Sequence, residues 1–443
     1  MNSCTPALRS QTFALRPLVA LALLVSASAT LQAQTGPSNP DAGLASWWTA
    51  TTQEARSRAA AQIVSSGTPF QSVYDALAAG RSYGSGPDVP RGTVEKSRTN
   101  GDGFLHRYVL RVPAGYDPSR SYPVRFYLHG GISRPDPGAG GSWARNLDQF
   151  ADGELFLVAP LAWSESLWWQ ARQVENLHGI LDELKRTYNI DENRVHVMGT
   201  SDGGTGVYFL AFRDPTPWSS FLTFIGSPEV LMNPTVRADG ELHVGNLKNR
   251  PLFIVNGEQD RLYPVSSIRP WLSTFDVANV TYEFRPQPGG HDTSWWPTES
   301  ENIERFIAEH PRDPHPESVV WGSESAALYP RALWIVIDEV GEIRGDMGRV
   351  AFATEAANLS SGTVWATRDG NTVSVLAYRV RAFRVLLSPD EFDFTQPIRI
   401  EVNGAAAFEG LVTPSVETLL EWAGRDQDRT MLYAAELVIE LAH

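Results

Sequence analysis

The sequence predicts an α/β fold, in which a mainly parallel sheet is flanked by helices, followed by a C-terminal β-sandwich of immunoglobulin-like architecture. Two observations predict this arrangement. Strand-like apolar runs alternate with helix-like segments between residues 106 and 255, as expected for a parallel sheet covered by helices. Beyond residue 319, short strand-like runs follow one another with turns between them, which is typical of a sandwich.

The first 33 residues are typical of a secretory signal peptide. Arg9 and Arg16 precede an apolar run from Leu18 to Leu24, and small residues then lead to Ala33, after which we expect cleavage. The run is shorter than the roughly 20 residues that a membrane-spanning helix needs, so a retained anchor is the less favoured alternative. We therefore expect a secreted or periplasmic protein without stable membrane insertion.

The composition disfavours several classes of function. Cys4 is the only cysteine of the 443 residues and lies in the predicted signal, so we expect a mature chain without thiol catalysis, disulfides or Cys-ligated metals. Removing Arg9 and Arg16 with the signal changes the net charge from −14 to −16, which disfavours nucleic acid and anionic lipid as partners. A neutral small-molecule or polymeric substrate fits this charge better.

The elements of the first part follow in order along the chain. Alanine-rich, helix-compatible segments from Ala42 to Ala79 predict a small helical preface. Apolar runs predict strands over His106–Val112, Val124–Leu128, Leu155–Ala159, Val195–Met198 and Leu252–Val255. Helical spacing of apolar residues predicts a helix over Gln173–Tyr188 and another after Gly203.

A Pro-rich segment after His310 predicts a stiff linker between two domains. A proline-rich tether does not fix a coordination geometry for His310 and His315, so we predict no metal site there. Short strands are predicted over Leu333–Ile337, Arg349–Phe352, Thr363–Ala366, Thr372–Ala377, Phe383–Leu387 and Ile398–Val402. The predicted organisation is a signal peptide (1–33), a helical preface (34–90), an α/β domain (91–310), a linker (311–318) and a β-sandwich (319–443).

The pentapeptide Gly199–Gly203 (GTSDG) fits the pattern G-x-S-x-G, in which glycines permit a sharp turn that exposes a serine. The pattern is weak by itself, since residues 80–84 (GRSYG) match it as well. Ser201 follows a predicted strand and begins a predicted helix, whereas Ser82 follows a helix and leads into a loop. Ser201 is therefore the candidate nucleophile, with a structural turn as the alternative, and the adjoining helix N-terminus favours developing negative charge.

A serine nucleophile needs a base, and the base needs a carboxylate that orients it. In the chain order nucleophile, acid, base, the acid follows a later buried strand, and Asp260 lies in the loop after Leu252–Val255. Glu258 lies two residues earlier and remains an alternative acid. The candidate base is His291 in the next glycine-rich loop, with a hydrogen-bonded loop histidine as the alternative. Its neighbour Asp292 is predicted to cap that loop.

Acyl transfer also needs two N–H donors for the oxyanion of the tetrahedral intermediate. The backbone N–H of Asp202 supplies one because this residue follows the serine. The second is expected in the loop after an early strand, where the sequence reads Leu128–Gly131 (LHGG). We nominate the N–H of Gly131, with Ile132 as a neighbouring candidate, and interpret His129 as a ring that braces this loop.

Several segments together resemble one branch of the α/β-hydrolase superfamily. The segments are Tyr108–Asp117, Tyr122-Pro123, Leu128–Gly131, Gly199–Gly204 and Gly290-His291. They resemble serine esterases of the polyhydroxybutyrate-depolymerase-like, feruloyl-esterase-like and phospholipase/carboxylesterase-like kind, over about residues 104 to 310. The resemblance implies an α/β-hydrolase fold, cleavage of carboxylic esters through an acyl-enzyme without a cofactor, and catalytic roles for Ser201, Asp260 and His291. Secreted depolymerases of this branch commonly carry disulfides. This chain departs from that pattern, because its mature part is expected to contain no cysteine.

Tryptophans follow two of the predicted elements near the site. The rings are Trp163, Trp168, Trp169, Trp295 and Trp296. They favour a Trp-lined cleft for a hydrophobic or aromatic ester, with packing in the core as the alternative. Two other functions stay open. A more distant similarity to prolyl-oligopeptidase-like proteins makes a serine peptidase the first alternative. The predicted sandwich suggests the second, a non-catalytic surface protein that binds a polymer or carbohydrate.

Overall fold

The structure, a computed structural model, describes residues 40–84, 89–145, 147–150, 153–341 and 361–441. Eight strands form one sheet: β1 (Gly92–Thr99), β2 (Leu105–Val112), β3 (Tyr122–Leu128), β4 (Phe156–Pro160), β5 (Ile190–Thr200), β6 (Ser220–Phe224), β7 (Leu252–Gly257) and β8 (Tyr282–Gln287). Their order in the sheet is β1-β2-β4-β3-β5-β6-β7-β8. Strand β2 is antiparallel to both of its neighbours, and the strands from β3 to β8 pair in parallel.

In the described part of the chain, three α-helices precede this sheet, four pack on it, and the last lies in the C-terminal part. They are α1 (Pro40–Thr49), α2 (Gln53–Ser65), α3 (Phe70–Ala79), α4 (Ala171–Thr187), α5 (Asp202–Arg213), α6 (Val265–Ala278), α7 (Trp296–Glu309) and α8 (Val416–Asp426). Helix α4 confirms the predicted helix to within two residues at each end. Its Val174, Leu177, Leu181 and Leu184 recur at helical spacing and are buried in the main core.

The strands predicted for this sheet are confirmed, but the sequence pattern did not indicate β1, β6 or β8. Strand β1 is polar and largely exposed, so it carries no apolar signal, and it exists because its backbone pairs with all eight residues of β2. Strand β6 is fully buried, and β8 is half-buried at the other edge of the sheet. Tertiary pairing therefore extends the sheet beyond what periodicity shows.

Two further sheets form the predicted C-terminal β-sandwich. The strands are β9 (Ser318–Ser323), β10 (Arg331–Ala332), β11 (Ile335–Val340), β12 (Gly362–Asp369), β13 (Thr372–Tyr378), β14 (Val380–Leu387), β15 (Ile398–Val402), β16 (Ala405–Gly410) and β17 (Ala435–Glu440). They are ordered β10-β11-β14-β17 and β16-β15-β13-β12-β9, and the inner faces share one hydrophobic core. The predicted strand Arg349–Phe352 and the predicted signal peptide lie outside the described residues.

The helical preface packs on the C-terminal part of the chain. Trp47 and Leu77 share a hydrophobic cluster with Leu419 and Leu420 of α8. The hydroxyl of Tyr83 donates to a backbone carbonyl in the last turn of α4, at 3.2 Å. Because α4 ends where β5 begins, these contacts lie toward the amino ends of the parallel strands.

The Pro-rich segment is packed into the protein. Arg312 is buried, and its guanidinium donates to Asp428 at 2.7 Å and to Asn193 at 2.9 Å. Asn246 and Asn249 further join the two parts, since each side-chain amide both donates to and accepts from the backbone of β9. All described residues belong to one compact unit. The domain boundaries stay a prediction.

Candidate active site

The nucleophile motif forms a sharp turn between β5 and α5. Ser201 has a φ of 57°, in the left-handed region that a residue with a side chain rarely adopts, and the helix begins at the next residue. Gly203 permits this turn because a Cβ there would lie 1.9 Å from the carbonyl oxygen of Leu128. The turn therefore projects the serine hydroxyl at the carboxyl edge of the sheet. Ser82, in the second matching pentapeptide, follows helix α3 instead.

Three side chains from three separate loops meet at this turn. Nε2 of His291 lies 2.8 Å from Oγ of Ser201, and Nδ1 of His291 lies 2.8 Å from Oδ2 of Asp260. The side chain of Asp260 is fully buried. Because an ionised carboxylate only accepts hydrogen bonds, Nδ1 of the imidazole donates, and Nε2 is left to accept the proton of the serine hydroxyl.

The backbone of the acid loop fixes the Asp260 carboxylate. Its second oxygen, Oδ1, accepts the N–H groups of Leu262 at 2.7 Å and Tyr263 at 3.0 Å. Glu258, the alternative acid, is exposed, and its backbone N–H bonds to the neighbouring β8. The structure thus brings Asp260 to the imidazole and leaves Glu258 at the surface. Asp292 accepts the N–H of Ser294 at 2.9 Å, which is the loop-capping contact predicted for it.

The glycine-rich loop after β3 lies directly against Ser201. A Cβ on Gly130 would come within 2.8 Å of the Cβ of Ser201, so only glycine fits there. The N–H of Ile132 donates to the carboxylate of Asp202 at 3.0 Å. Ile132 is therefore not available to a substrate oxygen, which corrects its place as a neighbouring candidate. The N–H of Gly131 and the N–H of Asp202 have no hydrogen-bond partner among the described residues.

These features define a known architecture. The strand-turn-helix serine, the glycine loop after β3 and the chain order serine, aspartate, histidine occur together on a mainly parallel sheet. The chain has the α/β-hydrolase fold.

Comparisons with known proteins give likenesses to solved structures alone. No protein-family model matches the chain, and no curated protein matches it. A thermostable esterase is 22% identical with a TM-score of 0.39, over 50% of this chain and 63% of that one, which is less than two thirds of its length. A ferulic acid esterase is 17% identical (TM-score 0.39, 49% and 97% of the chains), and dipeptidyl peptidase 4 of Porphyromonas gingivalis is 13% identical (0.38, 49% and 35%). At these scores the likenesses decide neither activity nor substrate.

His129 braces the glycine loop of this α/β-hydrolase site, as the sequence indicated. Its Nδ1 donates to the carbonyl of Gly130 at 2.9 Å, and its Nε2 accepts the N–H of Ala162 at 3.1 Å. Because Nε2 accepts, the ring is neutral, and burial lowers the pKa of His129. The indole of Trp168 donates to the carbonyl of His129 at 2.9 Å, which adds a third support to the loop.

The five tryptophans do not line a cleft. None is more than 7% exposed. Trp163 stacks on Phe104, Trp169 donates to a backbone carbonyl, and Trp168 packs beneath the glycine loop. Trp295 and Trp296 belong to a buried cluster with aromatic side chains from the sheet. The prediction of a Trp-lined cleft is therefore wrong. The five rings pack in the core, which is the alternative that the sequence left open.

A cavity next to Tyr263, whose ring packs against His291, has a different lining. It has a volume of about 510 Å³ and lies between the loop after β6, including Glu229, Val230 and Met232, and the loop after β7, including Leu262 and Tyr263. Sequence reasoning missed it because the loop after β6 follows a strand that was not predicted. The only available signal was a run of apolar residues between prolines in that loop.

Asn256 is a further site residue that the sequence did not single out. It is buried at the end of β7, and its amide donates to the carbonyl of Gly226 at 3.1 Å and to that of Tyr263 at 3.2 Å. It therefore ties the loop after β6 to the acid loop. In the described part of the chain, no group of three or more His, Cys, Asp or Glu residues could hold a metal ion.

Proposed function

We propose that the chain is a serine hydrolase that cleaves carboxylic esters with hydrophobic or aromatic acyl groups through an acyl-enzyme intermediate. The observation that carries the proposal is the continuous hydrogen-bonded chain from Ser201 through His291 to Asp260, with 2.8 Å at both links. Its position on a strained turn beside two free N–H donors is the arrangement that acyl transfer requires.

In the proposed first half-reaction, Oγ of Ser201 attacks the ester carbonyl while Nε2 of His291 takes the hydroxyl proton. Negative charge then develops on the carbonyl oxygen, which the N–H groups of Gly131 and Asp202 stabilise. Asp260 stabilises the imidazolium and holds its orientation. When the tetrahedral intermediate collapses, the C–O bond to the alcohol breaks, and His291 returns the proton to the leaving oxygen.

In the second half-reaction, His291 takes a proton from water, and the water oxygen attacks the acyl-enzyme carbonyl. When the second tetrahedral intermediate collapses, the bond between the acyl carbon and Oγ of Ser201 breaks and His291 returns the proton to Oγ, which releases the carboxylic acid and restores the serine hydroxyl. The cycle uses no cofactor.

The location of the protein outside the cytoplasm is proposed from the sequence. The signal-like N-terminus favours a secreted or periplasmic enzyme acting on a small-molecule or polymeric ester. In the described part of the chain, no helix combines the length and the apolar character needed to cross a bilayer.

The decisive experiment is covalent labelling of the purified chain with a fluorophosphonate, followed by mass spectrometry of the labelled peptide. We expect one label per chain, on Ser201, and loss of labelling in Ser201→Ala and His291→Ala. Both variants should also lower ester turnover by roughly 10⁴-fold or more without loss of folding. An unlabelled wild-type chain would point to the non-catalytic binding protein.

A matched pair of substrates separates ester from amide hydrolysis. We expect cleavage of p-nitrophenyl esters and far slower cleavage of peptide p-nitroanilides, because an amine leaving group needs stronger protonation. A preference for the anilides would replace the esterase with the peptidase. A chelator should leave the activity unchanged, and inhibition by it would contradict the proposed mechanism.

A further inference from the structure

A groove next to the triad has walls that the catalytic steps do not use. Its two walls start from the strands beside the nucleophile: the N–H of Ser201 bonds to Phe224, the last residue of β6, at 2.9 Å, and the acid loop follows β7. The ring of Tyr263 packs edge-on against the imidazole of His291, with 5.6 Å between ring centroids. Tyr263 therefore both lines the groove and contacts the imidazole of His291. We call it the Met232–Leu262 groove.

The two side chains that name the groove are unusually exposed for apolar residues. Met232 and Leu262 are each 62% exposed, one on each wall. Exposed apolar groups that face one another across a concave surface are typical of a ligand site. The five buried tryptophans are unavailable for this purpose, whereas Met232 and Leu262 are apolar side chains that a substrate can reach from solvent.

The walls are held in place by hydrogen bonds. Ser227 accepts the N–H of Glu229 at 3.3 Å, and Asn233 accepts the N–H of Thr235 at 3.0 Å, so turns fix both ends of the loop that carries Met232. On the other wall, the contact of the Leu262 N–H with Asp260 fixes the start of the acid loop. The apolar side chains are thus presented by an ordered backbone.

The charges around the groove restrict what it accepts. Glu229 is the one charged side chain among the described residues that line it. Burial, followed by the nearby carboxylates of Asp202 and Asp260, raises the pKa of Tyr263, so its phenol stays neutral. A negatively charged substituent would meet Glu229 with no cation in the lining to offset the repulsion.

We propose that the Met232–Leu262 groove binds an uncharged alkyl or aryl portion of the ester and makes the enzyme selective for neutral apolar esters over carboxylate-bearing ones. This proposal rests on the proposed function and adds the side chains that set its substrate class. A groove of about 510 Å³ accommodates a chain of several carbons or one aromatic ring. Each methylene that moves from water into contact with the two side chains should raise kcat/KM about fourfold.

The test compares wild type with the double variant Met232→Ser/Leu262→Ser on two series of esters. One series varies the acyl chain from two to eight carbons with p-nitrophenol as the alcohol, and the other varies the alcohol of acetate esters. We expect wild-type kcat/KM to rise about fourfold per methylene in one series until the groove is filled. The double variant should rise less than twofold per methylene in that series, which also identifies the part of the ester that occupies the groove.

Val277→Ser is the matched control, because Val277 is 65% exposed on α6 and does not line the groove. It should keep the wild-type dependence on chain length. Since both groove residues are exposed in the free chain, the double variant should unfold at the wild-type temperature. Glu229→Gln should raise the ratio of kcat/KM for a hemisuccinate ester to that for a neutral ester of equal length at least threefold.

Two outcomes are kept distinct by labelling with a short-chain fluorophosphonate. If wild-type Ser201 is not labelled, the proposed function fails, and the groove proposal fails with it. If Ser201 is labelled but the double variant keeps the wild-type slope in both series, the groove proposal alone is overturned.

Discussion

Replacement of Asp260 by asparagine tests the triad through the hydrogen bonds that surround one carboxylate. Oδ1 accepts two backbone N–H groups, at 2.7 and 3.0 Å, while Oδ2 accepts Nδ1 of His291 at 2.8 Å. An asparagine keeps one oxygen and gains an NH₂ group, so it must choose which partners keep an acceptor. The choice decides which nitrogen of the imidazole carries the proton.

If the NH₂ group faced the two backbone N–H groups, two part-buried donors would lose their acceptor, at up to about 1–3 kcal/mol each. In the opposite orientation the oxygen keeps both backbone N–H groups, and the NH₂ group donates to Nδ1 of His291. The imidazole then carries its proton on Nε2 and cannot take the proton of Ser201. We therefore expect Asp260→Asn to lower kcat by about 10³- to 10⁴-fold. This corresponds to about 4 to 5.5 kcal/mol of transition-state stabilisation.

The measurement is kcat and kcat/KM for a chromogenic ester in Asp260→Asn and, as a matched control, in Glu258→Gln. Glu258 lies two residues away and is exposed, so its variant should keep activity within about twofold of wild type. The reasoning is refuted if Asp260→Asn retains more than a tenth of wild-type kcat. It is also refuted if the two variants lose activity equally, since the acid would then not be Asp260 alone.

The remaining predictions concern two other carboxylates. Asp202→Ala should lower kcat about tenfold to hundredfold, because it removes the acceptor of the Ile132 N–H and so frees the proposed oxyanion loop. Asp202→Asn keeps an acceptor for this N–H and should keep most of the activity. Equal steady-state rates for the two variants would contradict this role. Asp428→Asn should lower the free energy of unfolding by about 3–5 kcal/mol in urea at pH 7, since it removes the carboxylate charge that pairs with the buried guanidinium of Arg312. Burial opposes the ionisation of Asp428, but the charges of Arg312 and Lys185 outweigh it and hold the pKa of Asp428 below its usual range. The stabilisation is thus complete above about pH 4, the usual aspartate value, and is lost as the pH falls further, so the two proteins should converge in acid.

The sequence by itself determined the features that depend on a short stretch of chain. The turn at Ser201 could be predicted because a buried strand, two glycines and an apolar helix follow one another within about twenty residues. Likewise, the spacing of apolar residues in α4 records its buried face directly. The sandwich followed from short apolar strands between turns. In each case the signal and the structure occupy the same stretch of sequence.

The tertiary structure decided the questions in which two residues of the same chemical type compete. Asp260 and Glu258 are equivalent in the sequence, and only the path of the acid loop turns one toward the imidazole and the other to solvent. Gly131 and Ile132 both carry an N–H in the glycine loop, and the carboxylate of Asp202 takes up the one on Ile132. Such choices depend on partners 31 to 70 residues away in the chain.

The tertiary structure also decided which apolar side chains are buried and which are exposed. The residues that flank a tryptophan in the sequence do not show whether its ring lies in the core or lines a cleft. The locations of Trp168 and Trp295 therefore could not be predicted from the sequence pattern. Met232 and Leu262 are ordinary apolar residues in the sequence, yet they remain exposed to solvent on the walls of the groove. The spacing of apolar residues in the sequence indicates which side chains are favoured to be buried. Which of them are buried depends on the packing of segments that are distant in the chain, because burial results from the contacts of the whole chain.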